Sequence, residues 1–262
     1  MKPLIHFAGA LAALCLSGSA VAAASILVWP IDPVIEHDDT GTAIWLENNG
    51  KSASRIQIRA LGWTQANGSD ELVPQDNIVV SPPAAEIQPG QRQLLRLIRT
   101  VTVRAGEEQA YRILIDEIPG NANAGQTREA PPVAEAGQGA GLAFQLRYSV
   151  PLFVSGAGAW TREDARKHPD PKAAAQPVLT YTVQSKQGQR WLVVRNTGPV
   201  HARLSHVSYV QGGREVWSVP GLLGYVLAGA EMAFEAPASV QAGGALNAYV
   251  NSDREARAIA PR

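Results

Sequence analysis

Thiol chemistry is all but missing from this chain of 262 residues: its one cysteine, Cys15, lies in an apolar run at the N-terminus. A disulfide framework, a thiolate metal site and a cysteine nucleophile are thereby excluded for the rest of the chain. A surplus of charge is missing too. Lys and Arg number 23, as do Asp and Glu. A chain so balanced has no overall field to hold nucleic acid or an anionic membrane. The loops of common catalysis are absent: there is no Gly-x-Ser-x-Gly, no phosphate-binding loop ending in Gly-Lys-Ser/Thr, and no Gly-x-Gly-x-x-Gly leading into a helix. No catalytic residue, metal site or cofactor is expected. The histidines beyond the leading segment are His37, His168, His201 and His206; His201 and His206 lack a nearby acidic partner and read as surface or turn histidines. Asp38 and Asp39 read as a polar turn. Asp116 and Glu117 are neighbours on a strand, so they point to opposite faces and do not converge on one substrate atom.

Helical periodicity is nearly absent as well. Apolar residues instead alternate in short runs separated by Gly, Pro, Asn and Asp. Strands are predicted over 25–35, 42–47, 55–63, 77–80, 92–100, 109–118 and 142–154. After a charged, Pro-containing stretch at 161–176, others are predicted over 178–185, 190–195, 203–211, 214–217, 225–227, 231–235 and 246–251. The count and spacing predict an all-β chain of two immunoglobulin-like β-sandwich domains, at 25–160 and 177–262. The tryptophans, Trp29, Trp45, Trp63, Trp160, Trp191 and Trp217, are expected in the cores. The opening MKPLIHFAGALAALCLSGSAVAAAS has one Lys, an apolar run and small residues at its end. That is the layout of a secretory signal peptide over 1–24, with no membrane span left after its removal.

Two further features stand out. Residues 119–140 form a long stretch without Phe, Trp, Tyr, Leu or Ile, unusual between neighbouring strands of a compact domain. Directly after it comes GLAFQLRYSVPLFV, residues 141–154. Its apolar parity, Leu142, Phe144, Leu146, Tyr148 and Val150, suits a core row facing an opposite sheet, as alternation in a sandwich usually does. It also suits a row meant for a groove on another protein. Arg55 and Arg59 share one strand face. Arg96 and Arg99 lie in QRQLLRLIRT, and Arg147 interrupts the apolar strand on its other face. Strand arginines are most often solvated; gathered at a cleft they would bind a carboxylate.

Several stretches together resemble the PapD-like periplasmic chaperones of the chaperone–usher pathway. These are AIWLENNG (43–50), IQPGQRQLLRL (87–97), YRILIDEIPG (111–120) and GLAFQLRYSVPLFV (141–154). With VWPIDPVIE near the start, they are more similar to the archaic-type branch than to the P-pilus branch. The resemblance implies two immunoglobulin-like domains in an L-shaped (boomerang) arrangement, no enzymatic activity and no cofactor. It implies a periplasmic location, with pilus or fimbrial subunits and an outer-membrane usher as partners, and self-association when free. In such a chaperone the strand at 141–154 completes the unfinished sandwich of a subunit, so Leu142, Phe144, Leu146, Tyr148 and Val150 become donors. The family's carboxylate-anchoring Arg and Lys positions fall on Asp32 or its neighbour and on Pro151. The anchor is therefore expected at Arg147, Arg96 or Arg59. Glu117 and Asp253 are expected in an interdomain ion-pair network, with Ser155 where the family has an Arg. A secreted pilus structural or adhesive subunit is the rival reading. It fits poorly, because such subunits carry their donor segment at the N-terminus and often a disulfide. A hydrolase or sugar-binding module would need converging carboxylates or a metal site.

Overall fold

The computed structural model describes residues 26–118, 146–161, 167, 168, 170 and 173–262. The segment 1–24, the stretch 119–140, Leu142 and Phe144 lie outside the described residues. Among the described residues there is no α-helix, in line with the missing helical period.

The first sandwich has one sheet in the order β1 (Ile26–Trp29), β3 (Gly41–Asn48), β8 (Arg92–Arg99) and β6 (Ile78–Ser81). Its other sheet runs β2 (Val34–Ile35), β10 (Arg147–Ser155), β9 (Glu108–Ile118), β4 (Ser54–Ala66) and β5 (Ser69–Val73), with β7 (Ala84–Ile87) also on β4. Side chains alternate across each strand. In β3, Ile44 and Leu46 are buried and Trp45 faces out. Register places Ile44 beside Leu95 of β8. Ile44, Leu46, Leu95 and Leu97 meet Ile56, Ile58, Ile113, Ile115 and Leu152 from the other sheet in one core. Each such side chain contributes about 1.5–3 kcal/mol by leaving water.

The second sandwich follows the order β14 (Arg214–Val226), β13 (Ala202–Gln211), β16 (Ala245–Val250), β17 (Arg257–Pro261), β11 (Leu179–Lys186), β12 (Gln189–Asn196) and β15 (Glu231–Ala236). β17 joins its halves, antiparallel to β16 and parallel to β11. Leu192, Val194, Leu204, Tyr209 and Leu246 centre its core.

The sandwiches share a device. Asn48 ends β3 and Asn196 ends β12, each fully buried and each two residues before a glycine. The Asn48 side chain donates to the carbonyls of Ser52 and Ile87 and accepts from the Gly50 amide. The Asn196 side chain donates to the carbonyls of Val200 and Val226 and accepts from the Gly198 and Val178 amides. Each asparagine closes its own turn and ties it to a neighbouring segment.

Several sequence expectations need correction. β5, SDELV, is exposed throughout, so no buried alternation marks it. β7 is only four residues long, and β17 follows a polar turn. The separate strands predicted at 214–217 and 225–227 are one strand, β14. Its Pro220, Gly221 and Gly224 look like breakers, but β14 is a sheet edge, where proline is tolerated. Of the tryptophans only Trp63 is buried. Trp45 stacks on Trp29 on an outer face instead, with ring centroids 6.4 Å apart.

Candidate functional site: an open strand edge beside a basic cleft

Strand β10 lies between β9 and the two-residue β2. β9 pairs with it over its full length, from Arg147 opposite Asp116 to Ser155 opposite Glu108. β2 covers only Phe153 and Val154. Among the described residues, the outer edge from Arg147 to Leu152 therefore has no strand partner. The Phe153 amide points outward, to the Pro33 carbonyl. By alternation, the main-chain groups of Arg147, Ser149 and Pro151 face the same open edge. Pro151 has no N–H, so the edge has a donor gap there.

The two parities of β10 differ in role. Tyr148, Val150, Leu152 and Val154 face the core. Val150 is 5% exposed and belongs to that core, which corrects its expected place in a partner-binding row. Tyr148 is only partly buried at the core margin, and Leu146 beyond it is exposed. The apolar row thus leaves its own core at Tyr148 and continues past it.

Arg147, Ser149, Pro151 and Phe153 look the other way, beside alternate residues of β9 and β4. On this face Asp116 accepts from Arg59 Nη2 at 2.6 Å and from Arg147 Nε. Burial raises the Asp116 pKa, but the two guanidiniums outweigh it and hold the carboxyl below its usual range. Arg147 and Arg59 are therefore already committed to a carboxylate of their own chain. Arg96 lies on β8, in the opposite sheet, and faces out beside Ala43 and Ser81. That placement removes it from the cleft and corrects its expected anchoring role. Pairing within one strand face was not visible in the sequence, because Asp116 and its partners come from separate strands.

Arg112 was not singled out from the sequence, yet it sits in the same sheet face, opposite Pro151 and Leu61. Its guanidinium lies 3.6 Å from the Trp63 ring centroid and 5.3 Å from that of Tyr225 in the second sandwich. Burial lowers its pKa, while Asp70 and Tyr225 act the other way. Its donors have no hydrogen-bond partner among the described residues. Burial likewise raises the Tyr225 pKa, with Asp32 adding to it and Arg203 and Arg112 opposing it. A cavity of about 230 Å³ opens beside Tyr225, lined also by Asp32, Phe153, His201 and Arg203.

The wall between the sandwiches is built from Trp63, Phe153 and Leu227. Gln65 of β4 donates to the Tyr225 carbonyl and accepts from the Leu227 amide. The Gly68 carbonyl accepts from the Ala233 amide. Glu108 accepts from the amide and Nδ1 of His201 at 2.8 and 2.9 Å. His201 is thus a buried histidine with an acidic partner, against expectation. The two residues expected in an interdomain ion-pair network have contacts within their own sandwiches. Glu117 accepts from Ser54 Oγ in its own sheet, and Asp253 pairs with Arg257 of its own sandwich at 3.8 Å. Ser155 Oγ is buried without a partner among the described residues. The sequence signal that would have found Glu108 is its place at the start of β9, one residue before the alternating run.

Comparison with known proteins identifies the family. Residues 33–159 match the family described as pili and flagellar-assembly chaperone, PapD N-terminal domain. The chain is similar, at 32% identity and a TM-score of 0.70, to a protein in the CsuC–CsuE chaperone–tip adhesion subunit pre-assembly complex from archaic chaperone–usher Csu pili of Acinetobacter baumannii. The match covers 91% of this chain and 100% of that one. The CupB2 chaperone of Pseudomonas aeruginosa shares the fold at 16% identity and a TM-score of 0.55, over 90% of this chain and all of the other. The E. coli chaperone DraB does so at 16% and 0.55, over 92% and 98% of the two chains. A search of curated proteins finds no match. The fold is that of a two-domain class of pilus-assembly chaperone. The chain belongs to the PapD-like pilus-assembly chaperones and is most akin, among these three relatives, to the archaic one.

Proposed function

We propose that this protein is a periplasmic chaperone that holds an unfinished pilus subunit by lending it the start of β10 and the residues before it. The observation that carries this reading is the edge from Arg147 to Leu152, without a strand partner among the described residues, next to a row that emerges from its own core at Tyr148. An extended segment added to an open sheet gains main-chain hydrogen bonds, and its alternate side chains fill pockets. Leu142, Phe144, Leu146 and Tyr148 are the donors. Burying four large apolar side chains contributes roughly 6–12 kcal/mol before ordering costs. Val150 anchors the strand in its own domain. The rival reading as a structural subunit is not favoured by the match to pilus-assembly chaperones. Delivery to an outer-membrane usher, cleavage of a signal peptide near residue 24 and the domain boundaries 25–160 and 177–262 complete the proposal.

Arg112 is the proposed anchor for the subunit's C-terminal carboxylate. Arg147 and Arg59 share Asp116, whereas the Arg112 donors have no hydrogen-bond partner among the described residues and its guanidinium lies over the Trp63 ring. A charge-assisted hydrogen bond of this kind contributes about 1.5–3 kcal/mol.

Co-expression of the chaperone with a pilus subunit and recovery of the complex tests the reading. Phe144→Glu with Leu146→Glu should abolish recovery and leave the chaperone's melting temperature unchanged. Recovery of the complex by the double variant, or loss of its fold, would refute the donor assignment. Arg112→Leu should weaken the complex about tenfold to a hundredfold while the donor variants behave as before; unaltered affinity would refute the anchor alone.

A further inference from the structure

Arg59, Asp116 and Arg147 form a row across the first sandwich, one residue each from β4, β9 and β10. The row lies on the face that turns toward the second sandwich. Trp63 and Phe153 share that face farther along β4 and β10, and they pack against Leu227 and Tyr225. The charges alternate across the row but do not cancel, because two guanidiniums face one carboxylate. Burial works against ionisation of Asp116, yet Arg147 and Arg59 hold its carboxyl below the usual range, so one positive charge is left over. Asp116 uses both oxygens, one on Arg59 Nη2 and one on Arg147 Nε. The Nη atoms of Arg147 have no hydrogen-bond partner among the described residues, and the side chain is 62% exposed. A guanidinium offers its donors as a fork that matches a carboxylate. Asp116 fixes one prong of that fork and leaves the others to a second acceptor. Of the other cations on this face, Arg55 pairs with Glu86 and Arg112 lies on Trp63.

Arg147 is also where the open edge of β10 begins, on the side away from β9. A strand joined there places one residue directly across from Arg147 on the same sheet face, with Cβ atoms about 5 Å apart. Opposite charges at such a position stabilise the pairing, and like charges destabilise it. Resting on the strand-lending reading above, we infer that the row is a charge ladder which the incoming subunit strand completes: the residue across from Arg147 carries a carboxylate side chain, and that pair fixes the register in which the strand joins β10. Asp116 and Arg59 act as positioning residues for Arg147. A slip by one residue turns the acid to the other face of the sheet. A slip by two carries it about 7 Å along the edge. Arg147 lies four residues before Pro151, the residue opposite Arg112. A strand that ends with its terminal carboxylate on Arg112 therefore has the acidic side chain about four residues, or roughly 13 Å, before its end.

The test uses the full-length chaperone and the subunit recovered with it by co-expression. Denatured subunit is refolded into an equimolar mixture of the unaltered chaperone and a variant, and the share captured by each is read. Arg147→Gln should capture about twofold to fivefold less than the unaltered protein, and the deficit should shrink in about 1 M salt. Arg147→Glu should capture about fivefold to thirtyfold less, because attraction is replaced by repulsion. In the subunit, each Asp or Glu of the last strand is changed to Lys in turn. One of these changes should restore capture by Arg147→Glu and weaken capture by the unaltered chaperone, an exchange that a merely structural Arg147 would not produce. No deficit in Arg147→Gln, or a deficit in Arg147→Glu that no lysine restores, would overturn the ladder. If Arg147→Glu does not fold, Arg147→Gln decides together with neutral subunit variants, Asp→Asn and Glu→Gln. At one position the two losses should fail to add; losses that add at every position would overturn the ladder. A subunit that the unaltered chaperone does not capture would instead refute the chaperone reading, and the ladder with it.

Discussion

Replacing Asn196 with alanine removes no apolar packing to speak of, yet it should be among the costliest single changes in the second domain. The side chain is fully buried and makes four hydrogen bonds, all to main-chain groups. The bonds to the Val200 and Val226 carbonyls and the Gly198 amide lie in the interior; the Val178 amide is partly exposed. Each interior group left without a partner costs about 1–3 kcal/mol, less whatever water can recover. With three such groups and one half-wet one, the expected loss is about 3–5 kcal/mol, a large share of the 5–15 kcal/mol typical of a domain. Asn196→Asp should be no milder, because an acceptor would then face two carbonyl oxygens. The assay is urea unfolding followed by amide signals assigned to each domain. The midpoint for the second domain should drop at constant slope, with a smaller change in the first. Asn48→Ala should reverse the pattern. A loss below about 1 kcal/mol in the second domain would show that these bonds are replaceable, and would refute the reasoning.

Acid should act partly through Asp116. Its pKa is lower in the folded chain than the ordinary value of about 3.9, so its contribution is present above that value and is lost as pH falls through the folded one. Asp116→Asn should flatten this part of the acid limb in a stability-versus-pH series, and an unchanged limb would count against the paired guanidiniums. Gly156→Ala should destabilise the first domain by several kcal/mol, since its Cβ would lie 1.8 Å from the Arg104 carbonyl oxygen; thermal melts check this, and a shift of under a degree would contradict it. Gly68→Val should loosen the contact between the domains without unfolding either one. That residue has φ +75° and its Cβ would meet Ala233 Cβ at 2.8 Å, so exchange at the Ala233 amide should speed up.

Strand content, the twofold sandwich organisation and the apolar alternation of residues 141–154 were legible in the chain itself, because alternation with period two is a local property. Leu95, Leu97, Ile113 and Ile115 could be assigned inward by counting alone. So could the family, since its motifs keep their order along the chain. Exposed β5 carries no such pattern, and β14 hides behind proline and glycine at an edge, so each was missed or broken in two.

Which cations are free, which histidines are buried and where the apolar row leaves its own core were decided by tertiary structure. Arg59, Asp116 and Arg147 come from β4, β9 and β10, and only the register of those strands makes one carboxylate answer two guanidiniums. Arg112 looked like any strand arginine until Trp63 and Tyr225 closed around it. His201 and Glu108 are 93 residues apart in the chain and meet at 2.9 Å. Side-chain direction follows from neighbours along a strand, whereas pairing of charges depends on which strands lie side by side and where two domains touch, and no local pattern encodes that.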